Sequence, residues 1–304
     1  MQASTIQKRQ LLGCPAPAKL NLFLHIIGRR ADGYHLLQSV FQLIDRCDYL
    51  DFTLREDGAI HRINEVQGVP AEQDLVIRAA KLLQNHRNCA LGVDIKLTKH
   101  LPMGGGLGGG SSDAATTLLA LNYLWDCQLN REELMALGLK LGADVPFFLC
   151  GANAFVEGIG EQIHAIKTKE QWFVIIEPGV HVPTPSIFSA EELTRDTKAV
   201  RITDFPEALN ESINENVKAK WKNDLQAVAC TLHSEIKDAI HWLSQFETGA
   251  GLASAKMTGS GSCVFCSFND EDSAIKVSAQ VPKHWNSWVA KSIQQHPMNT
   301  WLQN

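Results

Sequence analysis

The sequence predicts an α+β protein of two domains, and three observations carry that expectation. Strand-like and helix-like segments alternate irregularly, which favours α+β over a doubly wound parallel sheet. The 304 residues are ample for two cores of ordinary size. The stretch LPMGGGLGGGSSDAAT, residues 101 to 116, crowds glycines at six of the seven positions from Gly104 to Gly110, between a strand pattern and a helix pattern. Each glycine loses more backbone entropy on folding than any other residue, so such a run marks a place that needs bare backbone.

The elements follow in order. KLNLFLHIIG (19–28) and YLDFTLR (49–55) read as strands, the first apolar enough to be buried. Asp74 is placed to cap the helical pattern LVIRAAKLL. VDIKLTK (93–99) alternates as a strand should, and from Ser111 to Trp125 the apolar spacing fits a buried helix. Asn130 with Glu133 makes a capping box for a helix running to Leu141, which Gly142 ends. The expected domains are 1–152 and 153–304, the last strand being free to return to the first domain. The second opens with the strand ANAFVEG and continues through WFVIIEPG (172–179), an acidic surface segment DFPEALNESINENVK, MTGSGSCVFCSF (257–268) and a closing helix and strand.

Composition narrows the function. Hydrophobic residues make up 45% and charged residues 20%, as in folded rather than disordered chains. A net charge of −5 gives no electrostatic case for nucleic acid or an anionic membrane. No apolar run approaches the ~18 residues of a membrane span. MQASTIQKRQLLGCP lacks the apolar core of a secretory signal, so a cytoplasmic protein is expected. Eight cysteines are scattered, most in apolar stretches; Cys263 and Cys266, in a strand-like context without a second pair, are expected to face opposite ways.

A strand, a glycine turn and a helix start describe an anion site, because free N–H groups and the helix dipole point at the loop. A Walker A loop is excluded, since its lysine position holds glycine or serine. A dinucleotide fingerprint is formally present at Gly104, Gly106 and Gly109, but no acidic residue ending a second strand follows it. A merely flexible loop would favour serine and other polar residues.

From Pro102 to Ala115, PMGGGLGGGSSDAA resembles the ATP-binding motif of the GHMP kinases, named for galactokinase, homoserine kinase, mevalonate kinase and phosphomevalonate kinase. PAKLNLFLHIIGRRADGYHLLQSVFQ (17–42), LGADVPFF (141–148) and TGSGSCVF (258–265) extend the resemblance over nearly the whole chain, in the family's order. The resemblance implies an N-terminal domain like the second domain of ribosomal protein S5 and a smaller ferredoxin-like C-terminal domain. It implies ATP and Mg²⁺, and an acceptor alcohol carrying a cytidine diphosphate that is phosphorylated on its 2-hydroxyl, in the non-mevalonate route to isoprenoid precursors. It leaves the chain a monomer or weak homodimer.

Site residues follow from the same resemblance. Pro102, Met103, Gly104, Gly105, Gly106, Leu107, Gly108, Gly109, Gly110, Ser111 and Ser112 would hold the nucleotide phosphates, with Lys99 nearer the adenine and Ser112 a ligand for Mg²⁺. Lys19 and Asp144 would be the catalytic pair: an ammonium favours the ionised form of a neighbouring carboxylate, which then accepts a proton. Tyr34 would stack on cytosine opposite Phe188 and His35 would bond its edge, with Asn21 and Thr184 close to the substrate. His25 is expected to pack at the pocket edge, and Gly259 and Gly261 to bring a second turn close to the phosphates. For Lys99 a solvated strand end is the competing reading. Asp74 departs from the family's asparagine, and an ionised aspartate accepts but does not donate. A family member acting on homoserine or mevalonate is the nearest alternative; those acceptors carry no base to stack. A non-catalytic nucleotide binder would have no use for Asp144, and net charge disfavours an RNA-binding protein built on the S5-like domain.

Overall fold

The computed structural model describes residues 9–205, 216, 220–247 and 254–302. The segment DFPEALNESINENVK lies almost wholly outside them.

Strands β1 (Gln10–Arg29) and β2 (His35–Arg55) form a long antiparallel ribbon. β2 is also paired with β4 (Gly92–Thr98) and β5 (Ala154–Glu157), so one strand organises the first sheet. β3 (Ile60–Arg62) lies parallel on β4, and β6 (Gln162–Ala165) closes the other side. The second sheet is antiparallel in the order β10-β7-β9-β8, from β7 (Trp172–Glu177), β8 (Lys256–Met257), β9 (Val264–Phe268) and β10 (Asn286–Lys291). The change of sheet falls between Ala165 and Trp172, so the first sheet runs past residue 152.

β1 is buried on both faces along most of its length, as its mainly apolar sequence requires, with Lys19, Asn21 and His25 as buried polar exceptions. Its pairing slips between Pro17 and Ala18, where a proline cannot donate to the ladder. The slip immediately precedes Lys19.

Helix α1 (Leu75–Arg87) starts as expected: Asp74 accepts from the N–H of Val76. α2 (Gly109–Leu124) is buried almost all round. It begins two residues earlier than the serines suggest, because Gly108 caps it in a left-handed conformation. Asn130 and Glu133 form the capping box of α3 (Arg131–Leu139). α4 (Val145–Cys150) follows Asp144, and α5 (Thr184–Ser189), α6 (Gln226–Leu232), α7 (Ser234–Ser244) and α8 (Glu271–Ser278) belong to the second half.

One core fills the space between the first sheet and α1 to α4, and another lies among β7, β9 and the later helices. A third cluster joins them, with Phe23, Phe155, Phe173, Phe265 and Trp221 fully buried between the sheets. Cys263 belongs to this joint and Cys266 to the second core, so the two thiols do face opposite ways. Among the described residues no helix is long and apolar enough to cross a membrane.

Candidate active site

A cleft of about 740 Å³ opens between the two halves, floored by the glycine loop. Positive φ values recur at Gly104, Gly106 and Gly108, and at each a Cβ would crowd a neighbour, most severely against fixed backbone at Gly106. A Cβ on Gly106 would fall 2.1 Å from the Thr258 carbonyl oxygen. One on Gly108 would meet the Phe148 ring at 3.0 Å.

The loop's carbonyls are spent on the protein. Leu107 O accepts from Lys19 N at 3.0 Å, Gly105 O from Cys263 N at 3.2 Å, and Gly106 O lies 3.3 Å from the Thr258 hydroxyl. Among the described residues, no acceptor takes the backbone N–H of any residue from Gly104 to Ser111. A row of unclaimed N–H groups at a helix start is a cradle for an anion.

Lys19 enters the cleft from β1. Its ammonium donates to Asn21 Oδ1, stands 3.7 Å from Asp144 Oδ2 and lies 4.8 Å from the centre of the Phe41 ring. The residue is only 3% exposed, and burial drives its ammonium below the ordinary lysine range; nearby Asp144 offsets part of that drop. Asp144 takes the N-cap position of α4 in helical conformation and makes no capping bond, which leaves its carboxylate free toward the cleft. Asn21 donates to Ser39 Oγ at 2.9 Å and lies 3.3 Å from Thr258 Oγ1, so its amide is locked and its oxygen faces Lys19.

Beyond the loop each half contributes one arm of the lining. The first has the apolar residues Val66, Val69, Leu75 and Leu97, with Asp74 and Lys99. The second has Pro183, Thr184, Pro185 and Phe188, and Thr184 Oγ1 lies 2.8 Å from Ser260 Oγ.

Of the expected nucleotide residues, Lys99 and the run from Pro102 to Ser111 line the cleft, as do Lys19, Asn21, Asp144, Thr184 and Phe188. Ser112 does not: it is fully buried one step behind the loop, with a hydroxyl that has no hydrogen-bond partner. Tyr34 and His35 also lie off the cleft wall. Tyr34 is 61% exposed in the turn between β1 and β2, where its N–H donates to Asp32 Oδ1 at 3.2 Å. His35 is closer in, its ring 5.1 Å from that of Phe188. His25 packs inside rather than at the pocket edge, its ring 4.7 Å from that of Phe23 and 6.5 Å from that of Trp221; on a strand buried on both faces, the cleft position falls to Leu24.

Neither sequence reading of Lys99 describes its setting fully. Its ammonium bonds both Asp48 and Asp113, the latter at 2.7 Å, with only 20% of the side chain exposed. Burial alone would lower Lys99, but the two carboxylates outweigh it and raise it. Burial pushes Asp113 up to about 8 despite Lys99, since one ammonium serves two buried carboxylates and Asp48 also receives the N–H groups of His100 and Leu101. Asp74 likewise pairs with the buried guanidinium of Arg62.

Arg195 lies outside every motif of the sequence. It donates to His35 Nε2 at 3.2 Å and to the carbonyls of Ala190 and Leu193, which sets the segment carrying Phe188 against the start of β2. The donated bond makes Nε2 an acceptor; burial and then the charge of Arg195 lower the His35 pKa.

An N–H cradle suits a polyphosphate, and a carboxylate beside a buried ammonium suits an alcohol that must shed a proton. Together they define a phosphotransferase acting on alcohols. The model of the GHMP kinases N terminal domain matches residues 74–152 and that of the GHMP kinases C terminal matches residues 205–287. The chain belongs to the GHMP kinase family of ATP-dependent kinases and has that family's two-domain α+β fold.

It is 62% identical over 293 residues to a 4-diphosphocytidyl-2-C-methyl-D-erythritol kinase of Herminiimonas arsenicoxydans, covering 95% of this chain and 98% of the relative. The enzyme of the same name from Aromatoleum aromaticum is 53% identical, over 98% of this chain and 99% of its own. A solved 4-(cytidine 5'-diphospho)-2C-methyl-D-erythritol kinase superposes with a TM-score of 0.76 at 31% identity, covering 93% of this chain and 98% of that one. A homoserine kinase from Cytophaga hutchinsonii shares the fold at 17% identity with a TM-score of 0.68, over 97% of both chains.

Proposed function

We propose that this chain transfers the γ-phosphoryl group of ATP to the 2-hydroxyl of 4-diphosphocytidyl-2-C-methyl-D-erythritol. The observation that carries the chemistry is the placement of the Lys19–Asp144 pair beside the N–H cradle. The high identity to enzymes of that name supports the choice of acceptor.

Phosphoryl transfer asks for phosphates held in line, charge neutralised and a proton accepted. The N–H groups from Gly104 to Ser111 hold the phosphates. Lys19, clamped by Asn21, faces the charge that spreads over the transferred group. Asp144 takes the proton of the 2-hydroxyl. The carbon bearing that hydroxyl also carries the methyl group, so the nucleophile is a crowded tertiary alcohol and its orientation matters more than usual. The cytosine lies in the arm floored by Phe188, with His35 behind that ring and Tyr34 at the outer rim. The adenine takes the arm walled by Val66, Val69, Leu75 and Leu97.

Mg²⁺ fits the residues present. Ser112 offers a buried hydroxyl without a protein partner, and Mg²⁺ ordinarily completes its shell with phosphate oxygens and water. Bound with the nucleotide, it would supply charge neutralisation at the phosphates.

The test is to map the product. After incubation with Mg²⁺-ATP and the cytidine acceptor, one new phosphomonoester is expected whose phosphorus couples to the methyl-bearing carbon in ¹³C–³¹P spectra. A new phosphomonoester whose two-bond carbon coupling falls on any carbon of the acceptor other than the methyl-bearing one would contradict the assignment.

A further inference from the structure

The two glycine-rich turns meet back to back, and something must fix the height of the second over the first. A Cβ on Gly106 would lie 2.1 Å from Thr258 O, and one on Gly259 would lie 3.0 Å from Gly106 O, so there is no slack between them. Thr258 Oγ1 accepts from Asn21 N at 3.0 Å and lies 3.3 Å from Asn21 Oδ1, the oxygen that receives the Lys19 ammonium. The position of the second turn therefore sets the orientation of the Asn21–Lys19 pair.

The turn is held by Asn223, a residue that neither a motif nor the cleft lining marks. It is 4% exposed. Its Nδ2 donates to the carbonyls of Met257 and Gly259, both at 2.8 Å, and its Oδ1 accepts from Leu225 N at 2.9 Å. Both amide hydrogens are used, one on each side of Thr258.

The backbone around Asn223 is itself strapped to β1. Leu24 N donates to Lys222 O at 3.1 Å, Asp224 N to Leu24 O at 2.8 Å, and Ile26 N to Asp224 Oδ2 at 2.8 Å. Lys256 Nζ adds bonds to the carbonyls of Leu22 and Trp221 at 3.2 and 3.1 Å. One amide thus ties the second turn to the strand that carries Lys19 and Asn21.

We propose that Asn223 is a positioning residue for phosphoryl transfer, holding the turn 258–261 at the height that orients Thr258, Asn21 and Lys19 over the glycine loop. This rests on the catalytic reading of Lys19 given above.

The test compares Asn223→Asp with Asn122→Asp. The first keeps the acceptor for Leu225 N but sets an oxygen against two carbonyls. The second makes the same chemical change at a buried amide whose bonds, among the described residues, go to Leu129 at the far end of α2. Wild-type turnover is read first with the cytidine compound, mevalonate and homoserine, and the variants are measured on whichever acceptor works. The choice of acceptor and the clamp thus fail separately.

Per folded molecule, Asn223→Asp is expected to lose about tenfold to a hundredfold in kcat, the scale of a small misplacement of reacting groups, with the acceptor KM within about twofold. Asn122→Asp is expected to lose stability and keep its kcat. Should Asn223→Asp not fold, Asn223→Ser, which retains a single donor hydrogen, is read in the same way. A folded Asn223 variant with kcat within about twofold of wild type, or an equal loss in Asn122→Asp, would overturn the proposal.

Discussion

The Lys19 ammonium and the Asp144 carboxylate stand 3.7 Å apart, although one sits in mid-strand and the other ahead of a six-residue helix. Leu107 joins them: its carbonyl fixes the backbone of Lys19, while Phe148 of α4 packs against neighbouring Gly108. Asp144→Asn keeps the shape and removes the proton acceptor. Its kcat is expected to fall by about a hundredfold to ten-thousandfold, the usual share of general base catalysis. Lys19→Met removes a buried cation and is expected to lose comparable turnover while folding normally. Near-normal kcat in either variant, from steady-state ADP release, would remove these residues from the mechanism.

Glycine is required at some loop positions and not at others. Gly106 has φ +75° and a carbonyl oxygen 2.1 Å from where a Cβ would stand, whereas Gly110 has only the Leu75 methyl at 3.7 Å. Gly106→Ala is expected to abolish ATP binding or folding, and Gly110→Ala to leave the ATP Kd within about threefold. Titration of both variants with ATP by calorimetry separates them.

Phe188 and Tyr34 differ in how far they enter the site. Phe188→Ala removes a ring on the cleft wall, and the expected loss of about 1 kcal/mol of stacking would raise the KM for the cytidine acceptor about fivefold. Tyr34, 61% exposed, is expected to give a smaller rise when changed to Ala. The ATP KM should hold in both; equal weakening of the two substrates would refute the base-stacking role.

Lys99 is the shared cation of Asp48 and Asp113, whose side chains are 0% and 3% exposed. Lys99→Met leaves both without a cation and is expected to cost about 3–5 kcal/mol, measured by denaturant unfolding. A change below 1 kcal/mol would show that the ion pairs contribute little.

His296 provides a pH test. Burial lowers its pKa from 6.5 to about 4 in the folded protein, and its Nδ1 accepts from Met298 N at 3.1 Å, as only an unprotonated nitrogen does. Between those pH values the unfolded chain binds more protons. Stability is therefore full above pH 6.5 and falls toward pH 4, by on the order of 3 kcal/mol from this group. His296→Asn keeps an acceptor that does not titrate, and its unfolding free energy should lose less between pH 7 and pH 4.5 than the wild type does. An unchanged slope would assign the acid sensitivity elsewhere.

Local chemistry was the most legible part of the sequence. Asp74 and Asn130 cap helices within a turn of their own position, and the glycine run takes its positive φ angles locally, so these features show in short motifs. α2 starts two residues before the serines, although serine is the better cap in isolation, because Lys19 N holds the Leu107 carbonyl and Gly108 takes the left-handed cap conformation. Lys99 was opaque for another reason, since its partner Asp48 comes from β2 and nothing near Lys99 announces it. Tyr34 and His35 were read as one motif, yet an Asx turn sends the first outward and a strand carries the second inward. Arg195 and Asn223 act through carbonyls of distant segments, a pairing that residue type alone does not encode.

The most direct measurement is ADP release by the purified protein with Mg²⁺-ATP and, separately, 4-diphosphocytidyl-2-C-methyl-D-erythritol, mevalonate and homoserine. Turnover with the cytidine compound alone is the expected result. Turnover with mevalonate or homoserine and none with the cytidine compound would leave the kinase standing and contradict the acceptor and the cytosine arm built around Phe188.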